Sequence, residues 1–250
     1  MPANTSVGSP AEPVQGVVAV LDALGAAVYS REEADRFLQA RDQVMKLLNE
    51  TATTASFRID KSGLMRFIFS DTVVLTYVRR EPLNTDDING FCGLLRTVEA
   101  YFLRQRIFFR GALAIGELYR ADEQTNTVMG PAISDAAAWY TRADWIGIHT
   151  TPQATVFVRS LLCEKPEALD HVLLDYNVPL KDKSRMHLKA VNWPKTLYLT
   201  HQKDAVRARA TLLGVLGTQP VPAGAESKYF HAIEFFDHCE KTGFSKTAQA

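Results

Sequence analysis

Five uninterrupted apolar residues, Val17-Val18-Ala19-Val20-Leu21, run directly into an aspartate, Asp22. A short continuous apolar run has no polar face, so it predicts a strand covered on both sides within a layered domain. The wider stretch 16–29 is shorter than a membrane span and carries Asp22 at its centre. A carboxylate closing such a strand costs several kcal/mol unless it is paired or bound to a cation. Whatever fold this chain adopts must therefore cover both faces of the strand and give Asp22 a partner.

The rest of the chain supplies the layers. Ser30, with Glu33 three residues on, forms a capping-box pattern, and Phe37, Val44, Leu47 and Leu48 follow at helical spacing, predicting a helix over 31–50. Strands are expected at Ser56–Asp60 and over Met65–Val78, the latter broken by Ser70-Asp71 into a hairpin with Asp71 at its bend. A second amphipathic helix covers Asp86–Phe102, a strand covers Ile107–Leu118, and Val128-Met129 is a short partner strand. Gly130-Pro131 opens a third helix running to about Asp144, because proline suits a first turn. The order β-α-β-β-α-β identifies an α+β, ferredoxin-like core. Beyond it, Thr155–Val158 and Thr196–Thr200 read as strands, and Gln202–Leu216 and Lys228–Lys241 as helices. This gives a flexible tail at 1–13, a core at 14–150, a C-terminal part of the same domain at 151–241 and a flexible tail at 242–250.

Composition excludes several classes. With 28 basic and 28 acidic residues the formal net charge is zero, which argues against a general nucleic-acid binder. Cys92, Cys163 and Cys239 are scattered and odd in number, so neither a disulfide scaffold nor a zinc site is expected, and a reducing cytoplasm fits. The start lacks the basic-then-apolar order of a signal peptide, and no membrane association is expected. His171, His187, His201, His231 and His238 show no ligand spacing with carboxylates.

Two aspartates carry the chemistry. Asp22 ends the first strand, and Asp71 interrupts the apolar run Phe67–Leu75. In a split βαβ sheet those strands lie side by side, so the two carboxylates meet at one edge as a hard-cation site needs, suited to Mg²⁺ or Mn²⁺. The alternative for each is a turn cap. Asp22-Ala23-Leu24-Gly25-Ala26 is a strand end running into a glycine turn, whose backbone N–H groups can cradle phosphates or simply turn the chain. Arg110 enters an otherwise apolar strand, Arg110–Gly116, and wants an anion: a nucleotide phosphate or a neighbouring carboxylate.

These blocks, with Gly130-Pro131-Ala132-Ile133-Ser134-Asp135-Ala136-Ala137, resemble four motifs of the class III nucleotidyl cyclases, in order, over about the first 150 residues. The resemblance implies that Asp22 and Asp71, with Ala23 beside them, hold two metal ions, Mn²⁺ or Mg²⁺. Ala23, Leu24 and Gly25 would line the phosphates, and Arg110 would contact the triphosphate. It also implies a homodimer whose active sites are shared between subunits.

The departures narrow the reading. The asparagine and arginine of the purine cyclases' late helix fall on Ser134 and Ala138, and Arg142, one turn further, is the substitute cation if it is not simply a surface arginine. The lysine and aspartate that read a purine fall on Phe67 and Thr127. A basic stretch, Lys181-Asp182-Lys183-Ser184-Arg185, is a solvated turn or the source of a triphosphate-binding lysine, with Lys183 or Lys189 the candidates. The wording at 108–118 and 129–133 is similar to the Pycsar pyrimidine cyclases of anti-phage defence. That implies a pyrimidine nucleoside triphosphate substrate, UTP before CTP, whose cyclic product acts on a separate effector. A purine cyclase, or a non-catalytic nucleotide-binding dimer on the same fold, stands as the alternative.

Overall fold

A computed structural model describes residues 13–26, 29–51, 59, 61–122, 124–218, 221 and 224–244. Strand β1 (Val14–Ala23) lies between β3 (Thr72–Arg79) and β4 (Phe109–Leu118), antiparallel to both. Its side chains alternate between two cores, as the apolar run requires. Val17, Ala19 and Leu21 pack with helices α1 (Arg31–Thr51) and α2 (Thr85–Arg104) on one face. Val18 and Val20 pack on the other with α3 (Pro131–Tyr140), through Ala132 and Ala136. With β2 (Leu64–Phe69) these elements make the split βαβ core, in the order β2-β3-β1-β4. The β2–β3 turn is Ser70-Asp71, with Ser70 in the left-handed region at φ 57°.

Local chemistry fixes the helix starts. Glu33 N–H donates to Ser30 Oγ (3.2 Å) and Ser30 N–H to Glu33 Oε2 (2.8 Å), the reciprocal box expected for α1. Asn84 and Asp87 form the same box at α2. After β4, strands β5 (Arg120–Asp122) and β6 (Thr127–Met129) make a small hairpin, and Gly130 turns the chain into α3. Gly130 has φ 145°, and a Cβ there would lie 2.6 Å from the Glu117 carbonyl oxygen, so only glycine fits.

The second half extends the same sheet. Strand β7 (Gly147–Thr150) adds parallel to β4, followed by β9 (Arg185–Val191) and β8 (Leu173–Pro179), completing seven strands. None of these three strands was among the sequence expectations. Thr155–Val158 is not a strand but part of helix α4 (Pro152–Leu161), started by Thr151, whose hydroxyl accepts the Ala154 N–H, and by Pro152. Thr196–Thr200 is likewise in a helix, α5 (Pro194–Thr200), again opened by a proline. Helices α6 (Ala205–Leu216) and α7 (Glu226–Thr242) follow. Trp145, Trp193, Phe235 and Phe236 centre the core they share with β8 and β9, while Phe230 is exposed. The expected strand at 56–60 lies outside the described residues apart from Ile59 and is not assigned. Among the described residues no helix is long and apolar enough to cross a membrane.

Candidate active site

Asp22 is the cross-strand partner of Thr72 on β3 and of Arg110 on β4, so the three side chains share one face. Alternation places that face on the α3 side, with Val18 and Val20. There Arg110 Nε donates to Asp22 Oδ2 at 3.0 Å and Nη2 lies 2.9 Å from the same oxygen, while Thr72 Oγ1 reaches Asp22 Oδ1 at 3.5 Å. The guanidinium also lies 5.6 Å from the ring centre of Tyr140, the last residue of α3. The Asp22 and Arg110 side chains retain only 14% and 19% of their exposure, so each depends on the other for charge compensation. The carboxylate alternative for Arg110 is therefore the one seen, and among the described residues Asp22 bonds Arg110 and Thr72 rather than capping a turn.

Asp71 comes to the same edge from the β2–β3 turn, its carbonyl accepting the Ala23 N–H at 3.2 Å. Two tyrosines register both carboxylates. Burial first, then Glu33, Asp71, Tyr229 and Asp22, push Tyr29 up to about 12. Tyr140 is raised by burial and then by Asp22, against the opposing pull of Arg110. The phosphate-cradle expectation needs correction at two positions. The Ala23 N–H is taken by Asp71, and the Leu24 N–H by the Phe108 carbonyl at 2.8 Å, so neither amide is free for a phosphate. Gly25, at φ 79°, remains the one left-handed turn residue there. Among the described residues no group of three or more His, Cys, Asp or Glu could hold a metal, so the protein's side-chain donors at this edge are the two aspartates.

The basic stretch of the second half divides among three surroundings. Lys181, between β8 and β9, has its pKa lowered by burial and by Arg110 and Lys228, with Asp144 and Asp22 pulling the other way. Lys189 is instead buried in β9, its Nζ 2.9 Å from Asp175, and Lys183 is solvated, 4.0 Å from Asp144. Arg142 also departs from expectation. Helix α3 stops at Tyr140, so Arg142 is not on the Ala138 face; it is exposed and stacks over the Trp139 ring at 4.6 Å.

No family model and no curated protein sequence matches the chain. Solved structures do. A double mutant of the guanylyl cyclase domain of the RhoGC fusion protein from the aquatic fungus Blastocladiella emersonii superposes with a TM-score of 0.50 at 12% identity, covering 73% of this chain and 98% of that one. The fold is that of a guanylyl cyclase catalytic domain. The catalytic core of a rhodopsin-guanylyl cyclase with converted specificity, in complex with ATPαS, is also similar, with a TM-score of 0.48 at 12% identity over 72% of this chain and 97% of that one.

On this cyclase fold the remaining candidates lie apart from Asp22. The first turn of α3 sits over Gly116, which pairs with Gly16, six positions or about 20 Å along β1 from Asp22. Ser134 is there, exposed, its hydroxyl donating to the Gly130 carbonyl at 3.3 Å. Thr127 lies on β6, its hydroxyl donating to the Thr125 carbonyl at 3.1 Å, and neighbouring Asn126 pins that hairpin to Ile68 of β2. Phe67 requires a correction. Its side chain has no exposed surface and packs with Val18, Val20, Val74 and Ala132 beneath α3. A ring enclosed by its own helix cannot line a base pocket. Sequence reading also missed Tyr29, Tyr140, Lys181, Asp144 and Lys228. A signal existed only for Lys181, within the basic stretch.

Proposed function

We propose that this chain is a metal-dependent nucleotide cyclase that converts a pyrimidine nucleoside triphosphate, UTP before CTP, to the 3′,5′-cyclic monophosphate and pyrophosphate. One observation carries the reading: Asp22, Asp71 and Arg110 converge on one edge of a cyclase-fold sheet. Two carboxylates offer the hard oxygen donors that Mg²⁺ or Mn²⁺ prefers, with phosphate oxygens and water completing the shell. Asp22 and Asp71, with Ala23 alongside, would hold two ions. Bound there, the ions would activate the ribose 3′-hydroxyl and neutralise the leaving pyrophosphate. Arg110 compensates Asp22 before ligand arrives and can turn its remaining donors to a triphosphate. Lys181, whose pKa burial and then Arg110 and Lys228 lower, lies in the field of the same edge.

The pyrimidine assignment, and a second-messenger role in phage defence through a separate effector, rest on the sequence resemblance at 108–118 and 129–133. Phe67 no longer supports them. Ser134, at the start of α3 over the Gly116 end of β4 rather than at Asp22, favours a homodimer in which each subunit's α3 serves its partner's aspartates. A second reading, a non-catalytic nucleotide-binding dimer, is favoured by Ala138 in place of the usual arginine. Incubation of the purified chain with UTP, CTP, ATP and GTP and Mn²⁺, followed by product identification, decides between them. Cyclic UMP or cyclic CMP supports the proposal. A cyclic purine product removes the pyrimidine assignment, and binding without turnover leaves the second reading.

A further inference from the structure

Helix α3 runs over small residues from the Gly116 end of β4 and finishes with a large one at the Arg110 end. Alternation turns Arg110, Ala112, Ala114 and Gly116 of β4 to the α3 side. On the helix Ala132 and Ala136 are buried, and a Cβ built on Gly116 would lie 3.6 Å from the Ala132 Cβ, so the helix backbone approaches the strand closely. Tyr140 is the next residue on that stripe, one turn after Ala136. It is partly buried against the core of Val18, Val20 and Phe67, and its ring lies over the Arg110 guanidinium, whose Cζ is 5.6 Å from the ring centre. Burial and then Asp22 raise the Tyr140 pKa above the usual tyrosine value, so at neutral pH the phenol is uncharged and turns the negative face of its ring to the cation.

The guanidinium is thus held on two sides. One oxygen of Asp22 takes its Nε–Nη2 edge, at 3.0 and 2.9 Å, and Tyr140 takes its face. An ion pair to a single oxygen fixes an edge but lets the guanidinium plane swing about it, and a ring against the face removes that freedom. The N–H donors of Nη1 and the outer donor of Nη2 stay on the far edge, where no bond to an acceptor is found among the described residues. The side chain keeps 19% of its exposure, so an anion from solution can reach that edge. We infer that Tyr140 is a positioning residue for Arg110: ring and carboxylate together set the guanidinium plane so that its unused edge grips the polyphosphate of the substrate. The inference rests on the cyclase reading for the identity of the ligand, and its tests do not need turnover.

Two readouts on the full chain test this, the first without any ligand. The Arg110 Nε–H signal, assigned by its loss in Arg110→Lys, is expected to show a heteronuclear NOE close to that of the backbone in the wild type and in Tyr140→Phe, which keeps the ring face. In Tyr140→Leu, which keeps apolar packing without the ring, the NOE falls toward that of exposed arginines. Calorimetric titration with the Mn²⁺ complex of inorganic tripolyphosphate at fixed salt is expected to give wild-type affinity in Tyr140→Phe and a loss of about fivefold in Tyr140→Leu. A merely structural ring would lower the melting temperature of Tyr140→Leu while leaving the Arg110 signal and the affinity as they are, and that result overturns the inference. Loosening of Arg110 with no loss of affinity overturns it too. So does a loss of affinity with the Arg110 signal unchanged, or a Tyr140→Phe as weak as Tyr140→Leu, either of which would mean that Tyr140 touches the anion itself. A wild type that binds no polyphosphate also overturns it. If Tyr140→Leu does not fold, Tyr140→Met carries both readouts, because the flexible thioether fills the same space without a ring. The expected pattern in a chain that cyclises no nucleotide leaves the inference standing and removes the cyclase reading. A chain that cyclises a nucleotide while Tyr140→Leu matches the wild type in both readouts keeps that reading and loses the inference.

Discussion

Removing Asp22 and removing Asp71 have different structural consequences, although both are expected to abolish cyclisation. Asp22→Ala strands the largely buried Arg110 guanidinium, so a stability loss of about 1–3 kcal/mol accompanies the loss of activity. Asp71 sits in a two-residue turn, and Asp71→Ala is expected to change stability by no more than ~0.5 kcal/mol. Parallel activity assays and denaturant titrations check both, and wild-type turnover by either folded variant would remove the metal assignment. A second prediction at this scale concerns His149, which is fully buried, donates through Nδ1 to the Thr150 carbonyl at 3.0 Å, and is driven down to about 4 by burial. A depressed histidine pKa means that the unfolded chain binds the proton first as pH falls. Its contribution is therefore complete above about pH 6.5 and is lost progressively down to about pH 4, on the order of 3 kcal/mol in all. Unfolding midpoints measured between pH 7 and pH 4 should fall less steeply in His149→Gln; an identical slope would show that His149 does not titrate with folding.

At the scale of elements, Phe67 shows how a strand's face decides a residue's role. Its alternation with Phe69 was legible in the sequence, but not that α3 would cover this face. Phe67→Ala is accordingly expected to destabilise by about 3–5 kcal/mol, while the milder Phe67→Leu leaves the ratios of kcat/KM among the four nucleotides unchanged. A shifted ratio in folded Phe67→Leu would return the ring to the base pocket. The parts of the fold that sequence disclosed are those set locally: the unbroken run of β1, the Ser30–Glu33 box of α1 and the Ser70-Asp71 bend. Helices α4 and α5 were misread because a four- or five-residue apolar run has no readable period. The deciding signals were Thr151-Pro152 and Trp193-Pro194 at their starts. Strand β8 did carry a period of two, with Leu174, Tyr176 and Val178 buried between exposed Asp175 and Asn177. The site divides in the same way. Asp22, Asp71 and Arg110 announce themselves as charges in apolar runs, whereas Asp144 and Lys228 are joined only by folding across more than eighty residues.

Across the whole molecule, the distribution of candidates along β1 bears on how many chains make one site. Asp22, Asp71 and Arg110 gather at its C-terminal end, while Ser134 stands at the start of α3, whose first turn lies over Gly116 and whose last residue, Tyr140, meets Arg110. Six helical residues, about 9 Å along α3, separate Ser134 from Tyr140 at that edge, more than a serine side chain spans. If the α3 start contributes to catalysis at all, it must do so for a neighbouring copy, and two-fold symmetry would then create two equal sites, each built from both chains. Ser134 is exposed on its helix, so Ser134→Glu should fold normally while placing a negative charge where substrate phosphate would approach. Homodimers of Asp71→Ala and of Ser134→Glu are each expected to be inactive. In a mixed dimer one site collects both defects and the other collects neither, so co-purified heterodimers carrying distinct tags should recover about half of the wild-type activity per dimer. Recovery cannot arise from sites contained within single chains, because every chain in the mixture carries a lesion. A verified heterodimer with no activity, or a fully active Ser134→Glu homodimer, would count against the shared site and return the chemistry to the Asp22 edge of a single subunit.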